Sequence, residues 1–339
     1  MTTRSALPPA VDPCRFELTG TESAEIQRII ASLLPDCSSV DVGRLRAASM
    51  ATRILPARLV EFLQTFRYEE PAGGCVISGW PVDDAGIGPT PMSWSSPPRP
   101  GGSLSHELYL VVLASVIGDV FAWSTVQDGN LVQDILPVPG EEGGKSAGSS
   151  SSILELHTED AFSPLRCDYL GLMCLRNDQR VPTSYASLDA VQLSAEHRQV
   201  LAQPRFALLP DEEHVRRAAE RGEQMPDASK TGLLFGDLQS PYLALDALYV
   251  EVGQDDAEAA KALETLLTGL DAVQLNVTLA PGEVLLVDNY RAVHGRGPFE
   301  ARYDGRDRWL KRVSVTRDLR RSREARSGAD SRVVATGLA

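Results

Sequence analysis

The sequence predicts an α+β domain with a mainly β core, of the β-sandwich or jelly-roll kind with helices packed outside. Three observations lead there. Helical periodicity dominates the first third of the chain. Many short strand-like runs follow. Neither an internal repeat nor a hinge-like linker divides the 339 residues, so one large core is expected.

Taken in order, residues 1–20 are rich in Pro and Thr and predict a flexible N-terminal segment. Thr21–Glu25 opens a helix whose apolar positions Ile26, Ile29, Ile30, Leu33 and Leu34 recur at helical spacing until Pro35. A second helix is predicted over 56–67, then a short buried strand at Cys75–Gly79, a Pro/Gly/Ser-rich loop over 86–103 and a helix over 105–117. Beyond Gly118 the period shortens. The run Pro139–Ser152 is nearly all Gly, Ser, Glu and Lys and predicts a mobile loop or lid. Strands are predicted at Ile153–Leu156, Tyr169–Leu175, Arg205–Leu209, Leu233–Phe235, Tyr242–Leu245, Gln274–Leu279, Val284–Val287, Arg291–His294 and Trp309–Thr316, with helices at 194–202 and 256–270.

Acids outnumber bases 46 to 33, a net charge of −13. Nucleic acid and anionic membrane both demand a cationic face, so neither is an expected partner. No apolar run nears the roughly 18 residues of a membrane span, and Met1–Arg4 leads into no signal-peptide core, which predicts a cytoplasmic protein. The five cysteines (Cys14, Cys37, Cys75, Cys167, Cys174) form no close pair, so reduced, packed thiols are expected.

Among the five histidines, His197 and His214 stand in polar stretches and read as solvated, and His106 beside Ser105 reads as structural. His157-Thr158-Glu159 follows a predicted strand, where residues two apart share a face and can reach one ion. With five histidines and 46 acids, about one such pair arises by chance, so the pair alone decides little. Adding His294 completes the donor list of a two-His, one-carboxylate facial triad, the ligand set of non-haem Fe(II) oxygen chemistry. Two packed histidines explain the same residues equally well. The strand Trp309–Thr316 shifts the balance. Arg308 and Arg312 share one of its faces, about 13 Å apart at roughly 3.3 Å per residue. Guanidinia on a buried face need anions, and each can clasp a carboxylate with two hydrogen bonds. A nucleic-acid patch is the rival, since eleven of the 33 bases fall within 296–326, but five acids interleave there.

His157-Thr158-Glu159-Asp160-Ala161-Phe162-Ser163-Pro164, Asp288-Asn289-Tyr290-Arg291-Ala292-Val293-His294-Gly295-Arg296 and Arg302–Arg312 resemble the motifs of the clavaminate-synthase-like oxygenases. The likeness is nearest to the arginine-hydroxylating branch, with asparagine oxygenases and lysine hydroxylases beside it. It extends from Gly79 to Ser327 and implies a double-stranded β-helix (cupin-like jelly roll) with flanking helices, one oxygenase domain over 21–327 and a C-terminal tail at 328–339. It implies Fe(II), with 2-oxoglutarate and O2 as cosubstrates, acting on a small amino-acid substrate in natural-product biosynthesis. His157, Glu159 and His294 become the catalytic iron ligands. Arg308 holds the far carboxylate of 2-oxoglutarate, with Ser184 as its neighbour. Arg312 takes the substrate α-carboxylate, Gln127 its polar head, and Glu159 also meets the ammonium. Asp211 and Asp246 stand where the arginine hydroxylase receives a guanidinium, although Leu248 replaces a further aspartate. A basic amino acid hydroxylated at C3 is therefore expected, arginine before lysine or an arginine derivative. A neutral amino acid such as asparagine, and desaturation or cyclisation on the same iron, stay open. So do a carrier-bound substrate and the oligomeric state.

Overall fold

A computed structural model describes residues 12–34, 39–96, 102–223, 225 and 228–336. The chain is a mixture of helices and sheets arranged around two sheets that share a core. The larger sheet runs Cys14–Glu17, Gly74–Ser78, Val284–Asp288, Tyr169–Arg176, Trp309–Thr316, Asp119–Trp123, Val333–Val334, with Gln133–Ile135 also paired to Trp309–Thr316. The smaller sheet runs Leu275–Val277, Thr183–Ser187, Ala292–Arg296, Leu154–His157.

Strand alternation sorts the core into layers. Along Tyr169–Arg176, which is buried at every residue, Leu170, Leu172 and Cys174 face the smaller sheet and meet Tyr185, Val277 and Ala292. Tyr169, Met173 and Leu175 point the other way, into the N-terminal helices. Helix Leu104–Ile117 lies at the centre of that layer and is apolar on nearly every side, as a helix enclosed by others must be. It presses close to the sheet. A Cβ on Gly171 would meet Val313 Cγ2 at 2.8 Å and Leu110 Cδ1 at 3.3 Å. His106 lies within this helix and accepts from Trp80 Nε1 at 2.9 Å, so it is structural as expected; the residue before the first turn is Ser103 rather than Ser105. Helices Ala195–Leu201 and Ala257–Ala272 cover the outer face of the smaller sheet through Leu201, Leu263, Leu266 and Leu270.

Several sequence expectations are refined. The first helix spans Gly20–Leu33 and starts with a capping box, Glu22 N donating to Thr19 Oγ1 and Thr19 N to Glu22. Helix Val42–Ala51, with buried Leu45, Ala48 and Ala51, has no counterpart in the reading above. Both termini extend the sheet. Cys14–Glu17, inside the stretch expected to be flexible, pairs in parallel with Gly74–Ser78. Val333–Val334, in the expected tail, pairs with Asp119–Trp123. Of the five cysteines, Cys14, Cys75, Cys167 and Cys174 are free thiols, and Cys37 lies outside the described residues. Among the described residues no helix is long and apolar enough to cross a membrane.

The chain alternates between the two sheets around the future site, and the turns that carry it across are tightly specified. Gly282 adopts φ +88°, and a Cβ there would run into the Trp80 carbonyl, so the turn before Val284–Asp288 requires glycine. Asp288 and Asn289 then turn the chain into Ala292–Arg296. The loop before Trp309–Thr316 winds around Asp307, whose carboxylate accepts from Arg302 N at 2.8 Å and Tyr303 N at 2.6 Å. That winding delivers Arg308 to the strand.

Burial pushes the Asp288 carboxyl up to about 7, although Tyr290 N donates to it. A carboxyl raised on folding destabilises the fold where it is charged; the full penalty acts above that value and fades as pH falls toward the ordinary aspartate range. Asp288→Asn keeps an acceptor for Tyr290 and removes the charge. It should stabilise the chain by roughly 1–3 kcal/mol at pH 8 and by progressively less toward pH 5, measured as the melting-temperature difference from wild type.

Candidate metal centre

Two facts of strand geometry bring the predicted ligands together. His157 and His294 are directly opposed on neighbouring antiparallel strands, and their rings lie 4.3 Å apart. Glu159 follows two residues after His157 and returns to the same side. Its Oε2 lies 3.7 Å from His157 Nε2 and 3.4 Å from His294 Nε2. One potential donor atom from each residue falls within 4.8 Å of the others. Right-angled metal bonds of about 2.0–2.2 Å place donors about 3 Å apart, so one ion fits between them.

The surroundings favour this use. Glu159 Oε2 is buried and has no hydrogen-bond partner, a costly state for a carboxylate oxygen unless something else engages it. His157 Nδ1–H donates to the Glu155 carbonyl at 2.8 Å, which turns the Nε2 lone pair inward. Burial and the neighbouring His157 charge push His294 down to about 4, leaving the neutral imidazole a metal requires. Without an ion His157 moves up to about 9, burial opposing its charge but the carboxylates of Glu159 and Asp246 outweighing burial, so a metal would take the place of its Nε2 proton. Glu159 is held well below the usual carboxylate range, burial being overcome by Arg312 and the two imidazoles.

Thr158, between two of the ligands, points away from the cavity and holds another segment. Thr158 donates its N–H to the Leu245 carbonyl at 2.7 Å, and its hydroxyl accepts from Leu245 N at 3.1 Å. Asn289 accepts from Glu159 N at 2.7 Å and donates to the Glu159 and Cys167 carbonyls, both at 3.0 Å. The sequence reading treated Asn289 only as a turn residue.

A cavity of about 1090 Å³, its open mouth included, surrounds the three ligands. Arg308, Arg312, Asp211, Glu213 and Asp246 all line it. Arg312 Nη1 donates to Glu159 Oε1 at 2.6 Å and Nε to Gln133 Oε1 at 2.7 Å. Arg308 donates to Thr183 Oγ1 at 3.0 Å. The hydroxyl beside Arg308 is thus that of Thr183 rather than the expected Ser184. Adjacent strand residues face opposite ways, and Thr183 has the inward phase. Arg296, two residues past His294, lines the same cavity. Burial pushes both Arg296 and Arg308 down to about 10, and among the described residues neither pairs with a carboxylate. Two buried guanidinia without acids suit a dianionic ligand.

Further expectations change. Gln127 lies at positive φ and spends its amide on the backbone of Asp134, donating to its carbonyl at 2.7 Å and accepting from its N–H at 2.9 Å. Gln133 is the glutamine that reaches Arg312. After Pro210 the chain forms helix Glu212–Glu220, capped by Asp211, whose Oδ1 accepts from His214 N at 2.8 Å. His214, read as solvated, is 1% exposed. Asp246 Oδ1 accepts from Leu248 N and Tyr249 N, at 2.9 and 3.1 Å. Burial raises the carboxyls of both Asp246 and Glu213, the latter helped by nearby Asp211. The expected lid is anchored: Arg296 donates to the Ser149 carbonyl at 2.6 Å, Phe299 N to the Ser150 carbonyl at 2.7 Å and Tyr303 to Glu142 at 2.7 Å.

Residues 111–314 match the family model described as taurine catabolism dioxygenase TauD, TfdA family. An enduracididine beta-hydroxylase of Streptomyces hygroscopicus is 41% identical, over 94% of this chain and 99% of its own. An L-ornithine/L-arginine 3-hydroxylase of Catenulispora acidiphila is 35% identical over the same shares, 94% and 99%. Among solved structures, the non-heme iron oxygenase OrfP with Fe, succinate and (3S)-hydroxy-L-Arg superposes with a TM-score of 0.88 at 38% identity, covering 94% of this chain and 99% of that one. Its complex with Fe and alpha-ketoglutaric acid gives 0.86 at 40% identity and the same coverage.

Three protein donors are the whole ligand set, and losing one leaves two, which hold Fe(II) poorly. His157→Ala and His294→Ala should each weaken Fe(II) binding at least a hundred-fold in anaerobic titration. Melting temperatures of the metal-free proteins should stay close to wild type, because the β core closes without the ion. Wild-type affinity in either variant would exclude the triad.

Proposed function

The chain belongs to the taurine catabolism dioxygenase TauD/TfdA family, and we propose that it is an Fe(II)- and 2-oxoglutarate-dependent hydroxylase of a free L-amino acid with a basic side chain. Arginine is the first candidate, lysine or an arginine derivative the second. C3 is the position attacked, and natural-product biosynthesis in the cytoplasm is the setting. The family and the two facing sheets support a double-stranded β-helix core, within a single oxygenase domain. The observation that carries the reading is one cavity lined by the His157–Glu159–His294 donors, by Arg308 and Arg312, and by three partly buried acids. The names of the relatives, a beta-hydroxylase and a 3-hydroxylase, favour hydroxylation at C3 over desaturation or ring closure.

Bound iron supplies the activation of O2, coupled to oxidative decarboxylation of 2-oxoglutarate to succinate and CO2. The chain's own residues do the rest. Arg308, braced by Thr183, receives the remote carboxylate of 2-oxoglutarate, with Arg296 adding positive potential at that end. Arg312 receives the substrate α-carboxylate and Glu159 its ammonium, so the α-carbon is fixed close to the metal. Asp211, Glu213 and Asp246 receive the cationic end. Leu172, Leu209 and Leu310 line the rest of the cavity and keep water from the reacting carbon.

Removing the partner of a buried carboxylate costs ~3–5 kcal/mol, some hundreds- to thousands-fold in binding. Arg308→Ala should therefore raise the KM for 2-oxoglutarate far more than that for L-arginine, and Arg312→Ala the reverse, in steady-state succinate assays. Equal effects of both variants on both ligands would contradict this assignment.

A charge-assisted hydrogen bond contributes about 1.5–3 kcal/mol, so Asp246→Asn should lower kcat/KM for L-arginine about ten-fold or more. Because burial raises Asp246 and Glu213, the wild-type KM for L-arginine should climb as pH falls into the mildly acidic range where these carboxyls take up protons. Preference for asparagine over every basic amino acid would rule out the acidic pocket.

A further inference from the structure

His214 sits on helix Glu212–Glu220, the element that brings Asp211 and Glu213 to the cavity. Its imidazole is wholly engaged. Nε2 lies 3.0 Å from Asp160 Oδ1, and Nδ1 lies 2.6 Å from Thr125 Oγ1. Trp123 Nε1 donates to the other Asp160 oxygen at 2.6 Å. The ring meets Trp123 and Phe162 edge-on, at 5.8 and 5.0 Å. Asp160 directly follows the ligand Glu159 and holds φ +53°, a left-handed conformation unusual outside glycine. The order Asp160–His214–Thr125 resembles a nucleophilic relay, but Thr125 is fully buried, so no substrate can reach its hydroxyl.

The bonds join two parts of the site that lie 54 residues apart in sequence. We propose that His214 is a positioning residue that docks the substrate-side helix on Asp160 and so sets where Asp211 and Glu213 stand relative to the metal ligands. The proposal rests on the reading that those acids receive the basic end of the substrate. Thr158 plays the matching part for Asp246 through its bonds to Leu245. Thr158 and Asp160, which alternate with the ligands along 157–160, therefore each hold one acidic wall, and His214 is the link for the second.

Asp160 accepts, so Nε2 carries a proton; when neutral the ring accepts at Nδ1 from the Thr125 hydroxyl, and when protonated it donates to that hydroxyl. Glutamine offers the same donor and acceptor pair; alanine offers neither. The test compares His214→Ala and His214→Gln with wild type as full-length Fe(II)-loaded enzymes, using 2-oxoglutarate and L-arginine. His214→Ala should raise the KM for L-arginine at least ten-fold and lower hydroxylated product per succinate at least two-fold, with the KM for 2-oxoglutarate within two-fold of wild type. Amides of residues 213–220 should exchange hydrogen at least ten-fold faster. His214→Gln should return all of these to within about three-fold of wild type.

An unchanged arginine KM and coupling ratio in His214→Ala would overturn the proposal, as would unchanged exchange in the helix. Equal damage in both variants, with a matching loss of melting temperature, would reduce His214 to packing and overturn it too. If wild type does not hydroxylate L-arginine, the substrate reading fails on its own. The exchange comparison still decides whether His214 docks the helix.

Discussion

The site depends on one clasp. The amide of Asn289 brackets the peptide of Glu159, accepting from its N–H and donating to its carbonyl. A glutamate just past a strand end would otherwise wander, and its Oε2 is left without a hydrogen-bond partner. Asn289 belongs to the turn that sends the chain into the strand bearing His294. One connection thus fixes the carboxylate and delivers the distal histidine. Because Asn289 is fully buried, losing it would leave three backbone groups unpaired, the N–H and carbonyl of Glu159 and the carbonyl of Cys167, at roughly 1–3 kcal/mol each.

Around that clasp, charge is distributed so that no buried ion stands alone once ligands are bound. Arg312 neutralises Glu159, and Gln133 accepts from the Nε of the same guanidinium. Arg308 and Arg296 hold only neutral oxygens, which makes the far end of the cavity electropositive. Asp211, Glu213 and Asp246 make the opposite region electronegative. Such a gradient orients a dianion and a cation without rearrangement on binding. In the proposed reading, it also lets an overall acidic chain bind two carboxylates, because the positive potential is buried and local.

What could be read from the sequence follows from the range of each signal. Amphipathic helices such as Gly20–Leu33 and Ala257–Ala272 carry their pattern within a few turns, and Trp309–Thr316 matches its predicted bounds. Val42–Ala51 buries mostly small residues and shows no stripe. Thr183–Ser187 is buried on both faces, so nothing in its pattern tells which of Thr183 and Ser184 turns inward. His214 lies among charged neighbours, and its burial comes from Asp160 and Thr125, distant in sequence. The helix after Pro210 did carry a local sign, an aspartate cap with acids in the first turn. The opposition of His157 and His294 is a register, which no single segment encodes.

In the proposed reading, the bond between Arg312 and Glu159 ties the amino-acid head to the metal itself. On that reading, a substrate held by its α-carboxylate presents the carbon next to the α-carbon at a constant depth, whatever the length of its tail. The acids at the other end govern admission alone. Regiochemistry and substrate range are then written in separate residues. Lineages can trade arginine for a shorter or a cyclised relative by altering the tail pocket, while the stereochemical outcome at the head is inherited unchanged.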